Sequence, residues 1–146
     1  ALACDFRLMA RGRSKIGLSE VGLGLIPGAG GCQRLPRVVG RAKAIEMIFL
    51  AMRLDADQAE DIGLINRAVD PENLEGEVME LARTLASGAT VAMAAAKKAI
   101  LTGEDKGLEA GLAAEREGIK GLTATEDLAE GLVAFNSKTK PNFEGK

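Results

Sequence analysis

The spacing of apolar positions changes near residue 31. Before it, Cys4–Ala10 is apolar enough for a short strand, the polar ARGRS that follows is turn material, and Lys15–Leu18 reads as a second short strand. After it, the spacing turns helical. Cys32–Val39 predicts a short helix, and Pro36 inside it predicts a kink or break, because proline lacks the N–H and crowds the preceding turn. Arg41–Ala51 places Ala44, Ile45, Ile48 and Phe49 at helical spacing. Asp55 is the expected N-cap of the next helix, with Gly63 just past its end, and Leu64–Val69 predicts a brief strand.

From Pro71 onward the pattern is almost wholly helical. Asp70-Pro71 has the form of an N-cap followed by a first-turn proline. Val78, Leu81, Ala82 and Leu85 mark one face of a helix that should end at Gly88. Thr90–Leu101 is alanine-rich and suits close packing, and Leu108–Ile119 and Glu126–Phe135 predict two more amphipathic helices. Thr125 precedes the last of these, with Glu126 and Asp127 placing negative charge at its positive dipole end. Gly111, Gly118, Gly121 and Gly131 each cost helix propensity, so close helix–helix approach is one expectation for them and chance placement the other.

One stretch stands out for chemistry. Between Gly17 and Gln33 the only charged residue is Glu20, amid Leu18, Val21, Leu23, Leu25 and Ile26. If those neighbours bury the carboxylate, they disfavour its charged form and make it a candidate general acid; the alternative is an exposed loop glutamate. Eight residues on, Gly28-Ala29-Gly30-Gly31 leads into a helix. Such glycines permit positive φ and close approach to the backbone, and a tight structural turn explains them equally well. The run is not a P-loop, since no Lys-Ser/Thr follows, and it does not match the dinucleotide GxGxxG.

Composition narrows the chemistry further. The 146 residues suffice for one ordinary domain with a real core, at 47% hydrophobic and 27% charged. A net charge of −2 gives no steering towards nucleic acid. No apolar run approaches the roughly 20 residues that span a bilayer, so no membrane partner is expected. Cys4 and Cys32 lack metal spacing and read as free thiols. With no His, Ser-His and Cys-His nucleophile mechanisms and His-ligated metal sites are excluded, leaving carboxylates, lysines and backbone dipoles.

Four segments in order resemble the enoyl-CoA hydratase (crotonase) family: ALACDFRLMA, KIGLSEVGLGLIPGAGGCQRLPRVVG, RAKAIEMIFLAMRLDADQAEDIGLINRAV and EGLVAFNSKTKPNF. Cys32 and Ser19 depart from the usual Thr and Pro without touching the chemistry. The resemblance implies an α/β fold, the C-terminal half of a crotonase: short strands of the ββα spiral core over residues 1–70, then a mainly helical trimerisation region over 71–146. It implies that Glu20 exchanges a proton with the α-carbon of a coenzyme A thioester and that the Gly28 N–H helps hold the reacting water. It further implies that Phe135 and Lys138 contact coenzyme A. A second glutamate and the oxyanion-hole donors are expected upstream of Ala1, so the chain is expected to be about half of an enzyme and inactive alone. Methylglutaconyl-CoA hydratases of branched-chain amino-acid breakdown are among the nearest-looking members. Neither metal nor separate cofactor is expected, the partner being an acyl-CoA substrate, in a homo-oligomer (trimer or hexamer) of the cytoplasm or mitochondrial matrix. An enoyl-CoA isomerase, another crotonase-type activity and a non-catalytic helical oligomerisation module are the alternatives.

Overall fold

The computed structural model describes residues 1–146. Its order is β1 (Leu8–Ala10), β2 (Ile16–Gly17), a 3-10 helix (Glu20–Leu23), α1 (Gly31–Val39), α2 (Arg41–Phe49), β3 (Arg53–Leu54), α3 (Ala56–Asp61), β4 (Arg67–Val69), a second 3-10 turn (Pro71–Asn73), α4 (Leu74–Ala86), α5 (Thr90–Lys106), α6 (Leu108–Leu122) and α7 (Glu126–Ser137). The chain packs as two compact units, Ala1–Met79 and Glu80–Lys146.

In the first unit the strands are shorter than their apolar runs. β1 pairs in parallel with β4, Leu8 opposite Arg67 and Ala10 opposite Val69, and β2 pairs antiparallel with β3 over two residues. Cys4–Arg7 and Leu64–Asn66 fall outside the strands; at their edge Asn66 N–H donates to the Arg7 carbonyl at 2.8 Å, and the Asn66 side chain then takes the next donor, Arg7 N–H to Oδ1 at 2.8 Å. Leu64 and Ile65 belong to the core instead, beside Leu35, Met47 and Leu54.

Pro36 does not break its helix. α1 runs unbroken through it to Val39, so the one intrahelical bond proline forfeits costs less than interrupting a helix whose Leu35 is fully buried. Gly40, at φ 78°, ends it and starts α2. Asp70 is also differently used. Its side chain makes no cap; it accepts from Arg11 Nη1 at 3.2 Å, and Arg11 Nε donates to Asp57 at 2.8 Å, raising the guanidinium pKa above its usual value. The helix therefore opens through a 3-10 turn.

Asp55 does cap α3, in a reciprocal box with Gln58: its carboxylate accepts from Gln58 N–H at 3.0 Å and its own N–H donates to Gln58 Oε1 at 3.1 Å. The Gln58 N–H, then Lys15, hold the Asp55 carboxyl below the usual carboxylate range. A depressed folded value means stabilisation that is present above the unfolded value of about 3.9 and lost as pH falls through the folded one. Asp55→Ala is thus expected to lower Tm at neutral pH, by a margin that shrinks below about pH 4 in thermal unfolding scans across pH.

In the second unit α5 and α6 form an antiparallel hairpin joined by Gly107 alone, at φ 89°. The expected close approach is real at two of its glycines. A Cβ at buried Gly111 would lie 2.9 Å from Gly103 Cα, and one at Gly118 would lie 3.4 Å from Ala95 Cβ. Gly121 has open space around it, so its glycine serves no contact within the chain. Alanine there gains about 1 kcal/mol of helix propensity, whereas at Gly111 overpacking of backbone against backbone, typically about 1–3 kcal/mol, outweighs that gain. Gly121→Ala is therefore expected to raise Tm and Gly111→Ala to lower it, with Ala95→Leu lowering it too; equal shifts at Gly111 and Gly121 would refute the close contact.

Thr125 caps α7, its Oγ1 accepting from Leu128 N–H at 3.3 Å. α5, α6 and α7 all extend beyond their expected ends, because each continues to a residue that closes it: Gly107, Thr123 and Lys138. No helix is long and apolar enough to cross a membrane.

Candidate active site

Glu20 opens the 3-10 helix of the first unit. The turn is closed by Gly24 at φ 73°, and Leu25 N–H donates back to the Glu20 carbonyl at 3.1 Å. Ser19 just before it accepts from Arg53 Nη2 at 3.0 Å, tying the turn to β3 from 34 residues away. That distance in sequence is why Arg53 carries no signal in the local pattern.

Three of the five apolar neighbours point away into solvent, while Leu18 packs on the core. Leu23, Leu25 and Ile26 are 81%, 62% and 75% exposed, because the 3-10 turn and its αL exit throw them outward. The turn lies against the end of α2, Gly22 facing Ala51. Glu20 itself is half-buried. Its Oε2 is fully buried and has no hydrogen-bond partner. A buried acceptor left unpaired costs about 1–3 kcal/mol, which marks the atom for a role beyond stability.

The glycine loop divides by role. Gly30 sits at φ 84° as the residue before α1, and Arg34 Nη1 donates to the Ala29 carbonyl at 2.8 Å, holding the turn from one helical turn on. Gly31 is buried, and a Cβ there would lie 2.7 Å from Pro27 Cβ and 3.1 Å from Leu18 Cδ1. Both are structural demands within the chain. Gly28 meets neither. Its φ is not positive, and no atom lies within 4 Å of where its side chain would start. It is exposed, its carbonyl accepts from Gly31 N–H at 2.9 Å, and its own N–H donates to no backbone carbonyl.

A cavity of about 240 Å³ is also present in this unit, lined by Leu18, Ala29, Gly30, Leu35 and Met47 among others, but neither Glu20 nor Gly28 lines it. It lies between α1 and the Ala1–Ala3 segment; its walls are mainly apolar, with Arg34 the one charged side chain among them and no carboxylate. The unpaired carboxylate oxygen is the better mark of chemistry.

Phe135 and Lys138 belong to the second unit, at the C-terminal end of α7. Phe135 is 83% exposed. Lys138 is exposed and ends the helix in the left-handed region, at φ 54°. The structure thus sets Glu20 and Gly28 along one loop of the first unit and Phe135 and Lys138 around one helix end of the second. No group of three or more His, Cys, Asp or Glu side chains is placed to hold a metal ion.

Comparison with known proteins follows the same lines. The chain is 44% identical to a short-chain-enoyl-CoA hydratase of Clostridioides difficile, over 92% of this chain and 86% of that protein. It is 42% identical to the mitochondrial methylglutaconyl-CoA hydratase of Rattus norvegicus, over the whole of this chain and 47% of the relative. Among solved structures, an enoyl-CoA hydratase from Bacillus anthracis superposes with a TM-score of 0.92 at 41% identity, over 99% of this chain and 56% of that one. The chain spans about half the length of most of the curated relatives it matches. The superposition identifies the short strands and following helices as part of the crotonase fold. The enoyl-CoA hydratase/isomerase family model matches residues 1–146 without a break, and with that agreement of sequence and fold the chain belongs to the enoyl-CoA hydratase/isomerase family.

Proposed function

We propose that this chain is the C-terminal half of an enzyme that adds water to 2-enoyl-CoA thioesters to give 3-hydroxyacyl-CoA. The observation that carries the assignment is the buried, unpartnered Oε2 of Glu20. In this reading the water oxygen bonds to the β-carbon and gives its proton to a second glutamate from the remainder of the enzyme. The electron pair of the double bond moves towards the thioester oxygen, where backbone donors from that same remainder stabilise the enolate-like transition state. Glu20 then delivers its proton to the α-carbon, and the reverse sequence dehydrates the 3-hydroxyacyl thioester.

Gly28 supports the same reading. It is the one glycine of the loop whose own surroundings do not require it, and its N–H is free to hold the water while no side chain blocks the approach. Phe135 offers an apolar surface and Lys138 a cation, the two chemistries that the adenine and the phosphates of coenzyme A require. Coenzyme A arrives as part of the substrate, so no separate cofactor enters the scheme. Residues 1–70 would complete the spiral core and 71–146 would bring subunits together as a trimer or hexamer. The compartment would be the cytoplasm or the mitochondrial matrix, the latter in keeping with the rat relative.

Some relatives are named isomerase/hydratase, and one glutamate suffices to move a proton along an acyl chain, which makes double-bond isomerisation the second reading. A panel of 2-enoyl-CoA and 3-enoyl-CoA thioesters offered to the complete enzyme separates the two. Formation of 3-hydroxyacyl-CoA from the 2-enoyl substrates is the expected outcome; conversion of 3-enoyl to 2-enoyl thioester without hydration would replace hydratase by isomerase.

A further inference from the structure

The one buried charged residue of the chain is not Glu20 but Asp127, 6% exposed in the first turn of α7. Thr125 already caps that helix, so Asp127 is not needed as a cap. Its carboxylate instead grips the C-terminal tail. Oδ1 accepts from Glu144 N–H at 2.8 Å and Oδ2 from Gly145 N–H at 3.1 Å, while Asp127 N–H donates to the Lys146 main-chain oxygen at 3.1 Å. Two successive backbone N–H groups around one carboxylate form a nest, with Gly145 at φ 74° making the curvature. The clasp is reciprocal: the tail's donors neutralise a charge that burial would otherwise penalise, and the tail's oxygen pairs one of the orphan N–H groups of the helix start.

The rest of the tail is tied along the same face of α7. Thr139 N–H donates to the Ala134 carbonyl at 3.0 Å, Asn142 N–H to Glu130 Oε1 at 2.8 Å, and the Phe143 ring lies 3.5 Å from where a Gly131 side chain would begin. The points of attachment on the helix, residues 127, 130, 131 and 134, follow helical spacing. The tail therefore runs antiparallel to α7 as a strap, anchored at Asp127, and the place where the chain reverses to form it is Lys138. A strap fixed at its far end limits where its reversal point can go.

We infer that Asp127 is a positioning residue: its clasp on the tail holds the Lys138 turn in place and so prepares the C-terminal end of α7 for the coenzyme A moiety. The second half of the inference rests on the assignment of Phe135 and Lys138 to coenzyme A. Asp127 itself touches no substrate in this account, so its loss should act on binding and leave the proton-transfer steps alone.

The test has two readouts. On the 146-residue chain, Asp127→Asn replaces one acceptor by an N–H-bearing group facing an N–H donor. Amide hydrogen exchange at Glu144 and Gly145 should then become at least about tenfold faster than in the wild type, with α5 and α6 unchanged. Should that variant fail to fold, a chain ending at Phe143 removes the same bonds from the other side, and its Thr139–Asn142 amides take over the readout. Unchanged protection of the tail overturns the clasp. In the complete enzyme, Asp127→Asn should raise KM for the acyl-CoA about tenfold with kcat unchanged, the size expected when a charge-assisted contact loses its alignment. Lys138→Ala, measured in parallel, should raise KM as well. A released tail with an unchanged KM, beside a raised KM for Lys138→Ala, overturns the positioning role. An unchanged KM for Lys138→Ala overturns the coenzyme A assignment of Lys138 and the positioning role with it.

Discussion

Glu20→Gln in the complete enzyme is expected to lower kcat by at least about 100-fold, with KM for the thioester nearly unchanged. The substitution keeps the size and one acceptor of the side chain but removes the proton that must reach the α-carbon. General acid–base groups contribute about 10²- to 10⁴-fold, so the loss falls at the lower end of that range or beyond. Binding should survive because the backbone that presents Glu20 is fixed without its carboxylate: Gly24 closes the 3-10 helix and Arg53 pins Ser19. The variant should also fold at least as well as the wild type, since an amide costs less to bury than a carboxylate with an unpaired oxygen. A steady-state comparison with crotonyl-CoA, alongside a thermal unfolding scan, reads both effects. Hydration by the Gln variant near the wild-type rate would remove Glu20 from the mechanism.

The 146-residue chain on its own is expected to show no measurable crotonyl-CoA hydration and to self-associate. The activity follows from the groups that must act together. One carboxylate without the second glutamate and the oxyanion donors lacks both the activated water and the stabilised enolate. Association follows from the surface. In the first unit Leu23, Leu25, Ile26, Phe49 and Leu50 are all exposed, and in the second so are Leu108, Leu132, Val133 and Phe135. So many large apolar side chains left exposed favour burial against further copies of the chain. Both sheets have only two strands, which leaves unpaired N–H and C=O groups along their edges. Light scattering and a hydration assay on one preparation check the two halves of the prediction; a monodisperse monomer would contradict the first unit's open edges and the apolar surface as drivers, and turnover would contradict the division of the active site.

What the chain makes legible on its own is local. The Asp55 and Thr125 caps are visible because a cap and the N–H it accepts from lie three residues apart. The helices of the second unit are visible because a 3.6-residue period is a property of neighbours in sequence. The family, and with it the expectation for Glu20, is carried by four ordered motifs rather than by any single residue's chemistry.

Tertiary structure decided the rest, wherever the partner is far along the chain. Asp70 has every local mark of an N-cap, yet Arg11, 59 residues away, takes its carboxylate. Pro36 has the mark of a helix break, yet the burial of Leu35 beside it keeps the helix whole. The strands end where their partners end, not where their apolar runs do, because a ladder needs two sides. Of the apolar residues around Glu20 in sequence, Leu23, Leu25 and Ile26 face outward while Leu18 packs on the core, a division the local pattern does not show. The glycines likewise look alike in sequence. A Cβ at Gly31 or Gly111 would come within 2.7 or 2.9 Å of a neighbour, whereas one at Gly28 or Gly121 would meet nothing within 4 Å. Periodicity and caps are short-range and can be read from neighbours; burial, close approach and the competition for a carboxylate depend on which distant groups arrive, and only the folded chain brings them there.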